Sequence, residues 1–178
     1  MDDSARIDIL KLREALLECI ERKQSVYMVV AILGTTEAGS VDPLADIIAL
    51  RDEMRQLGLS FIVHVDAAWG GYFASINRRD KSSSRTNEPL RIGLREYTRT
   101  QFRYLSESDS ITIDPHKSGY VQYPAGGLCY RDGRQRFFMT WNAPVLHHQA
   151  DGESIGIYGI EGRYGVSFDL FSESWISV

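Results

Sequence analysis

The sequence predicts an α/β fold, a three-layer sandwich built on a mostly parallel sheet. Three observations predict it: helical and strand patterns alternate along the chain, the strand segments are short and almost wholly apolar, and polar residues recur just after strand ends. Alternation of this kind calls for right-handed crossovers between parallel strands, and ligands then collect beyond the strands' carboxyl ends.

Each element has its own signature. Ile9, Leu12, Leu16 and Ile20 recur at helical spacing, with Leu10 and Leu17 beside them and Glu14, Glu18 and Glu21 on other faces, so the first element is an amphipathic helix. Residues 25–33 form a continuously apolar run rich in β-branched side chains, read as a strand covered on both faces and stopped by Gly34. A loop over 34–40 leads to Asp42-Pro43, an N-cap followed by proline at the first helical position. The second helix carries Leu44, Ile47, Leu50, Met54 and Leu57 on one stripe and stops at Gly58. Residues 61–65 make the next strand, with Asp66 at its carboxyl end. The polar stretch 77–89, which contains Lys81-Ser82-Ser83-Ser84-Arg85, reads as a solvated loop. A further helix runs to Leu105, residues 110–113 form a third strand and 126–130 a fourth. No internal repeat is visible.

Composition narrows the function. With 178 residues, 43% hydrophobic and 25% charged, the chain has ordinary globular composition and room for one domain with a real core. A net charge of −4 without a long basic run gives no footprint for nucleic acid. The longest apolar stretches, such as 26–33, fall far short of a membrane span, and Met1-Asp2-Asp3-Ser4 does not begin a charged-then-apolar signal, so a cytoplasmic protein is expected. Cys19 and Cys129 lie in separate elements with no CxxC pattern, which argues against a disulfide and against a zinc site.

The candidate site is a convergence. Thr36, Asp66 and Lys117 each follow a strand end, with spacings that admit one strand-crossover unit between them. Taken singly, each has a plain structural explanation: an aspartate after a strand caps a turn, a lysine in a loop is solvated, Thr35-Thr36 satisfies backbone groups in a tight turn, and His116 after a proline is a surface residue. Together they suit one chemistry, which needs an amine to hold an aldehyde cofactor and a carboxylate to keep its ring nitrogen protonated.

The segments Gly34-Thr35-Thr36 through Gly39-Ser40-Val41-Asp42-Pro43, His64-Val65-Asp66-Ala67-Ala68-Trp69 and Asp109-Ser110-Ile111-Thr112-Ile113-Asp114-Pro115-His116-Lys117 resemble the core of the group II pyridoxal-phosphate-dependent amino-acid decarboxylases. The likeness runs from about Arg6 to about Gly162, and residues 119–127 are most similar to the tyrosine decarboxylase branch. It implies a partial large domain of fold-type I pyridoxal-phosphate enzymes over 1–163, with 164–178 a divergent tail outside the family fold. It implies roles as well. Lys117 would carry the cofactor and exchange it with the substrate amine, its neutral form favoured by burial and by the cofactor's own charge. Asp66 would face the ring nitrogen, Ala68 would lie flat against the ring, His116 would approach the phosphate, and Thr36 would bond near the ring's polar edge or Asp66. The implied reaction is loss of carbon dioxide from an L-amino acid, aromatic and tyrosine-like by the branch resemblance, with no metal and with a homodimer as the full-length assembly.

The proton donor is expected in the region 141–158, which carries His147, His148 and Tyr158; adjacent histidines in a polar loop also read simply as solvated. The family's upstream phosphate-binding loop and ring-stacking aromatic have no counterpart in this sequence, and the tail has no helical stripe. Two other readings therefore stand beside the active decarboxylase: a catalytically inactive truncated fragment of one, and an aminotransferase or carbon-carbon lyase of the same fold.

Overall fold

In the computed structural model, residues 1–77 and 93–135 are described, together with the short strands 140–141 and 157–158. The polar stretch expected to be a loop lies mostly outside the described residues, as do His147, His148 and the tail 164–178.

Asp8 starts the first helix, α1 (Ile9–Glu21), its Oδ1 accepting from the backbone N–H groups of Leu10 and Lys11 at 3.1 and 3.2 Å. Leu16 is the stripe residue that reaches the core, whereas Leu10 stands in solvent. Strand β1 (Met28–Ile32) follows, then α2 (Leu44–Gln56), β2 (Ile62–Asp66), a 3-10 turn (Gly71–Asn77), α3 (Glu96–Arg103), β3 (Ser110–Ile113) and β4 (Gly127–Tyr130). The sheet order is β1-β2-β3-β4, with β1, β2 and β3 parallel and β4 antiparallel to β3. A separate short pair joins β5 (Thr140–Trp141) to β6 (Ile157–Tyr158).

Helix α2 ends as its sequence foretells. Gly58 takes φ +90, and Leu59 N–H donates to Met54 O at 2.9 Å while Gly58 N–H reaches Arg55 O at 3.1 Å, so two last-turn carbonyls are satisfied and Leu59 turns into the core. Its start differs from expectation. Asp42 does not cap the helix; its buried carboxylate accepts from Ile7 N at 2.8 Å and Ile32 N at 2.7 Å, tying the segment before α1 to the end of β1. Leu57, expected on the apolar stripe, is half exposed just past the helix end.

The core lies on one face of the sheet. Val29, Ala31, Leu33, Val63, Val65 and Ala67 meet Leu16 from α1, Leu44, Ile47 and Met54 from α2 and Phe102 from α3. Successive right-handed crossovers that step the same way across a sheet put their helices on the same side. The alternate residues tell the opposite story: Val30 is 43% exposed, Ile32 37% and Leu128 46%. Among the described residues the fold is thus the sheet with one helical layer, and β1 is covered on one face rather than on both. A run such as Val29-Val30-Ala31-Ile32 is apolar on both faces, yet only one of them is packed here.

A buried ionic cluster fixes the strands' entry side. Arg51, 6% exposed, donates to Glu107 O at 2.9 Å and lies 3.5 Å from Asp109 Oδ2. The Asp109 carboxylate also accepts from Val63 N at 2.8 Å and from Arg131 at 2.6 Å, linking α2 and β2 to the residues just before β3 and just after β4.

Candidate functional site

Asp66 ends β2 in register with Ile32 of β1 and Thr112 of β3, so it sits in the middle of the sheet's carboxyl edge. Burial alternates along β2 and continues past it: Val65 and Ala67 are fully buried, while His64, Asp66 and Ala68 are partly exposed. Asp66 and Ala68 therefore share the open face, as the extended backbone requires. One carboxylate oxygen of Asp66, Oδ1, accepts from Ala68 N at 3.1 Å.

The loop after β3 is fastened directly to this edge. Asp114 N–H donates to Ala68 O at 3.2 Å, and Ser118 Oγ donates to Trp69 O at 2.5 Å. Glycines allow the approach: a Cβ on Gly70 would lie 1.9 Å from Leu33 O, one on Gly71 2.9 Å from the Ile113 side chain, and one on Gly119 2.8 Å from the Tyr72 ring. The ends of β1, β2 and β3 are thereby knit into one surface. Lys117 stands on it, one-third exposed, its Nζ 2.8 Å from Asp114 Oδ2. That carboxylate first, and the charge of Asp66 further down, hold the amine above the usual lysine range against the opposing effect of burial. The free amine is thus paired and still in contact with water, an arrangement that makes its ammonium form harder to deprotonate.

His116 lies beside the lysine with its ring stacked on Tyr123, centroids 3.9 Å apart. Its Nδ1 donates to Ala125 O, and its Nε2 lies 3.9 Å from Asp114 Oδ2. Thr36 is exposed in the turn after β1, while its neighbour Thr35 supplies the local bond, Oγ1 accepting from Ser40 N at 2.9 Å. Two features went unread in the sequence. His64, two residues before Asp66 on the same face, bridges Ser110 Oγ at 2.8 Å and Thr112 Oγ1 at 3.1 Å, and burial lowers its pKa from the ordinary 6.5. Asp114 is the other, and its acid-to-base spacing of three residues before Lys117 was the available signal.

The conserved domain of the pyridoxal-dependent decarboxylases matches residues 1–88. An L-tyrosine decarboxylase from Enterococcus faecium is 34% identical over 176 residues, which cover 91% of this chain and 29% of that protein. The chain is similar in sequence to the pyridoxal-dependent decarboxylases. A probable L-tyrosine/L-aspartate decarboxylase from Methanopyrus kandleri is 38% identical over 134 residues, 75% of this chain and 30% of that protein. Among solved structures, the glutamate decarboxylase domain of a diaminobutyrate-pyruvate transaminase and L-2,4-diaminobutyrate decarboxylase from Vibrio parahaemolyticus matches with a TM-score of 0.52 at 26% identity, over 77% of this chain and 24% of that one. The chain spans about three-tenths of the length of the curated relatives it matches. No helix among the described residues is long and apolar enough to cross a membrane.

The residues present suit the pyridoxal group that the family name implies. A flat aldehyde cofactor with a basic ring nitrogen asks for an amine, a carboxylate and a small floor. Lys117, Asp66 and Ala68 bring these to adjacent loops on an open face, with the amine accessible and the charge of Asp66 acting on it.

Proposed function

We propose that this chain carries the carboxyl-edge part of the active site of a pyridoxal-phosphate-dependent L-amino-acid decarboxylase, which releases carbon dioxide and the corresponding amine. The observation that carries the reading is the fastening of the Lys117 loop to the Asp66 strand end through Asp114 N to Ala68 O and Ser118 Oγ to Trp69 O. The cofactor, when bound, supplies an electron sink for the pair left behind as the carboxylate departs.

The residues have the following parts. Lys117 would offer its amine as the covalent anchor for the cofactor. Asp66 keeps a proton on the ring nitrogen by an ion pair with it, and its Oδ1 is steadied by Ala68 N. Ala68 presents a methyl group as a flat floor. His116, its ring held by the Nδ1 bond to Ala125 O, would approach the phosphate, and Thr36 would contribute a hydroxyl at the ring's polar edge. An aromatic, tyrosine-like substrate follows from the relatives named L-tyrosine decarboxylase. A homodimer and a cytoplasmic location complete the reading; the free thiols of Cys19 and Cys129 suit a reducing compartment.

The exposed face bearing Val30, Ile32 and Leu128 favours a second reading, in which the chain holds the cofactor but does not turn over substrate alone. One titration with pyridoxal phosphate, followed by product analysis with L-tyrosine, separates the two. Both expect a visible absorbance band that Lys117→Ala abolishes, and Asp66→Asn weakens the electron sink; the first also expects tyramine. No band at any cofactor concentration would refute both.

A further inference from the structure

We propose that Asp114 is the positioning residue that holds the Lys117 amine whenever that amine is not bonded to cofactor or substrate, and so sets the pH at which it becomes a nucleophile. The inference rests on the proposed role of Lys117 but concerns a residue to which that role assigns nothing.

The geometry is specific. Asp114 is the first residue after β3, with its backbone fixed at both ends: its N–H donates to Ala68 O at 3.2 Å, and its carbonyl accepts from Lys117 N–H at 3.1 Å. These two bonds tie the carboxylate's backbone to the end of β2 and turn the lysine back towards it. Asp114 is 16% exposed and its Oδ2 lies 2.8 Å from Nζ, a charge-assisted bond partly screened from water. The same oxygen lies 3.9 Å from His116 Nε2, so a protonated His116 competes for it. The other titratable groups acting on the amine are Asp66 and Tyr123. Asp66 is the more distant influence and, in the proposed site, faces the cofactor ring, which leaves Asp114 as the partner within bonding distance.

The consequence for capture is a matter of protons. An ammonium cannot attack an aldehyde. Capture requires Nζ to leave Asp114 and lose one proton to solvent; a double bond then forms between Nζ and the aldehyde carbon as the aldehyde oxygen departs as water. The ion pair opposes the first step. When the cofactor is later transferred to a substrate amine, the freed Lys117 amine takes up a proton and returns to the same carboxylate, which keeps it at the sheet edge.

The test labels the 178-residue chain with trace acetic anhydride across pH 7 to 12 and reads Lys117 acetylation by peptide mass spectrometry, with no cofactor present. Asp114→Asn, which changes one heavy atom, is expected to lower the labelling midpoint by about one pH unit, whereas Asp114→Glu, which keeps the charge, retains most of the original midpoint. With pyridoxal phosphate at pH 7.5, Asp114→Asn is expected to form the absorbing adduct about tenfold faster, the same unit expressed as reactive fraction. An unchanged midpoint in Asp114→Asn, or an equal fall in Asp114→Glu, overturns the inference. The labelling arm is separate from the family reading: a shifted midpoint with no cofactor adduct would leave the pairing intact and sink the proposed function instead.

Discussion

Replacing Gly70 by alanine tests the contact on which the whole site edge depends. The added Cβ would lie 1.9 Å from Leu33 O and 2.8 Å from the Leu33 carbonyl carbon, both backbone atoms that no rotamer change can move. A carbon-oxygen contact is comfortable at about 3.3 Å, so the loops after β1 and β2 must part by roughly 1.4 Å. Leu33 is fully buried and its N–H donates to Asp66 O at 2.9 Å, so the displacement strains the core and the bond beside the site carboxylate together. We expect a loss of about 3 kcal/mol, at the upper end for overpacking in a close-packed interior. With a urea slope of about 2 kcal/mol/M for a chain of this size, the unfolding midpoint should fall by about 1.5 M. Gly133→Ala is the control: nothing lies within 4 Å of its added Cβ, and its midpoint should stay near that of the parent. If Gly70→Ala unfolds at the same urea concentration as Gly133→Ala, the reasoning that glycines knit the strand ends is wrong.

Three further outcomes are expected. Asp42→Ala leaves the Ile7 and Ile32 N–H groups without their acceptor and should cost about 2 to 4 kcal/mol; a melting temperature equal to the parent's would contradict the stapling role. Asp109→Ala leaves Val63 N without its acceptor and the buried Arg51 guanidinium with only Asp52 and the Glu107 carbonyl, and should cost about 3 kcal/mol, part of it recovered in the double variant with Arg51→Met; a double variant no better than the single one counts against a buried-charge contribution. His64 has its pKa lowered in the folded chain, so the unfolded chain binds the extra proton first and stability is lost as pH falls below about 6.5. That slope between pH 6.5 and 5 should flatten in His64→Gln, measured by urea titration at each pH, and a slope identical to the parent's would exclude His64 as its source.

The sequence conveyed element types and order because periodicity and stop signals are local. Gly58 halts α2 by a left-handed turn that any reader of the chain can anticipate, and Ile9, Leu12, Leu16 and Ile20 mark α1 by spacing alone. Asp66 and Lys117 were legible as a pair because parallel topology sends successive strand ends to one edge. Contacts between distant residues were not. Asp42 next to Pro43 looks like a cap, and only the fold reveals that Ile7 and Ile32 lie nearer to its carboxylate. Burial of β1 was misjudged for a related reason: an apolar face announces what a strand tolerates, whereas its covering depends on which layers surround it. The pairing of Lys117 with Asp114, three residues away in sequence, was not legible either, because the turn that brings the two within 2.8 Å has a shape the residue types alone do not dictate.

The most direct measurement of the central claim is the site of covalent attachment of pyridoxal phosphate. The chain has four lysines, Lys11, Lys23, Lys81 and Lys117. Incubation with substoichiometric cofactor, borohydride reduction and peptide mapping should place the adduct on Lys117, with attachment reduced in Gly70→Ala, where the loops are pushed apart. Adduct spread evenly over the four lysines would contradict the account, because it would mean that the strand-end loops confer nothing on Lys117 that an exposed lysine lacks.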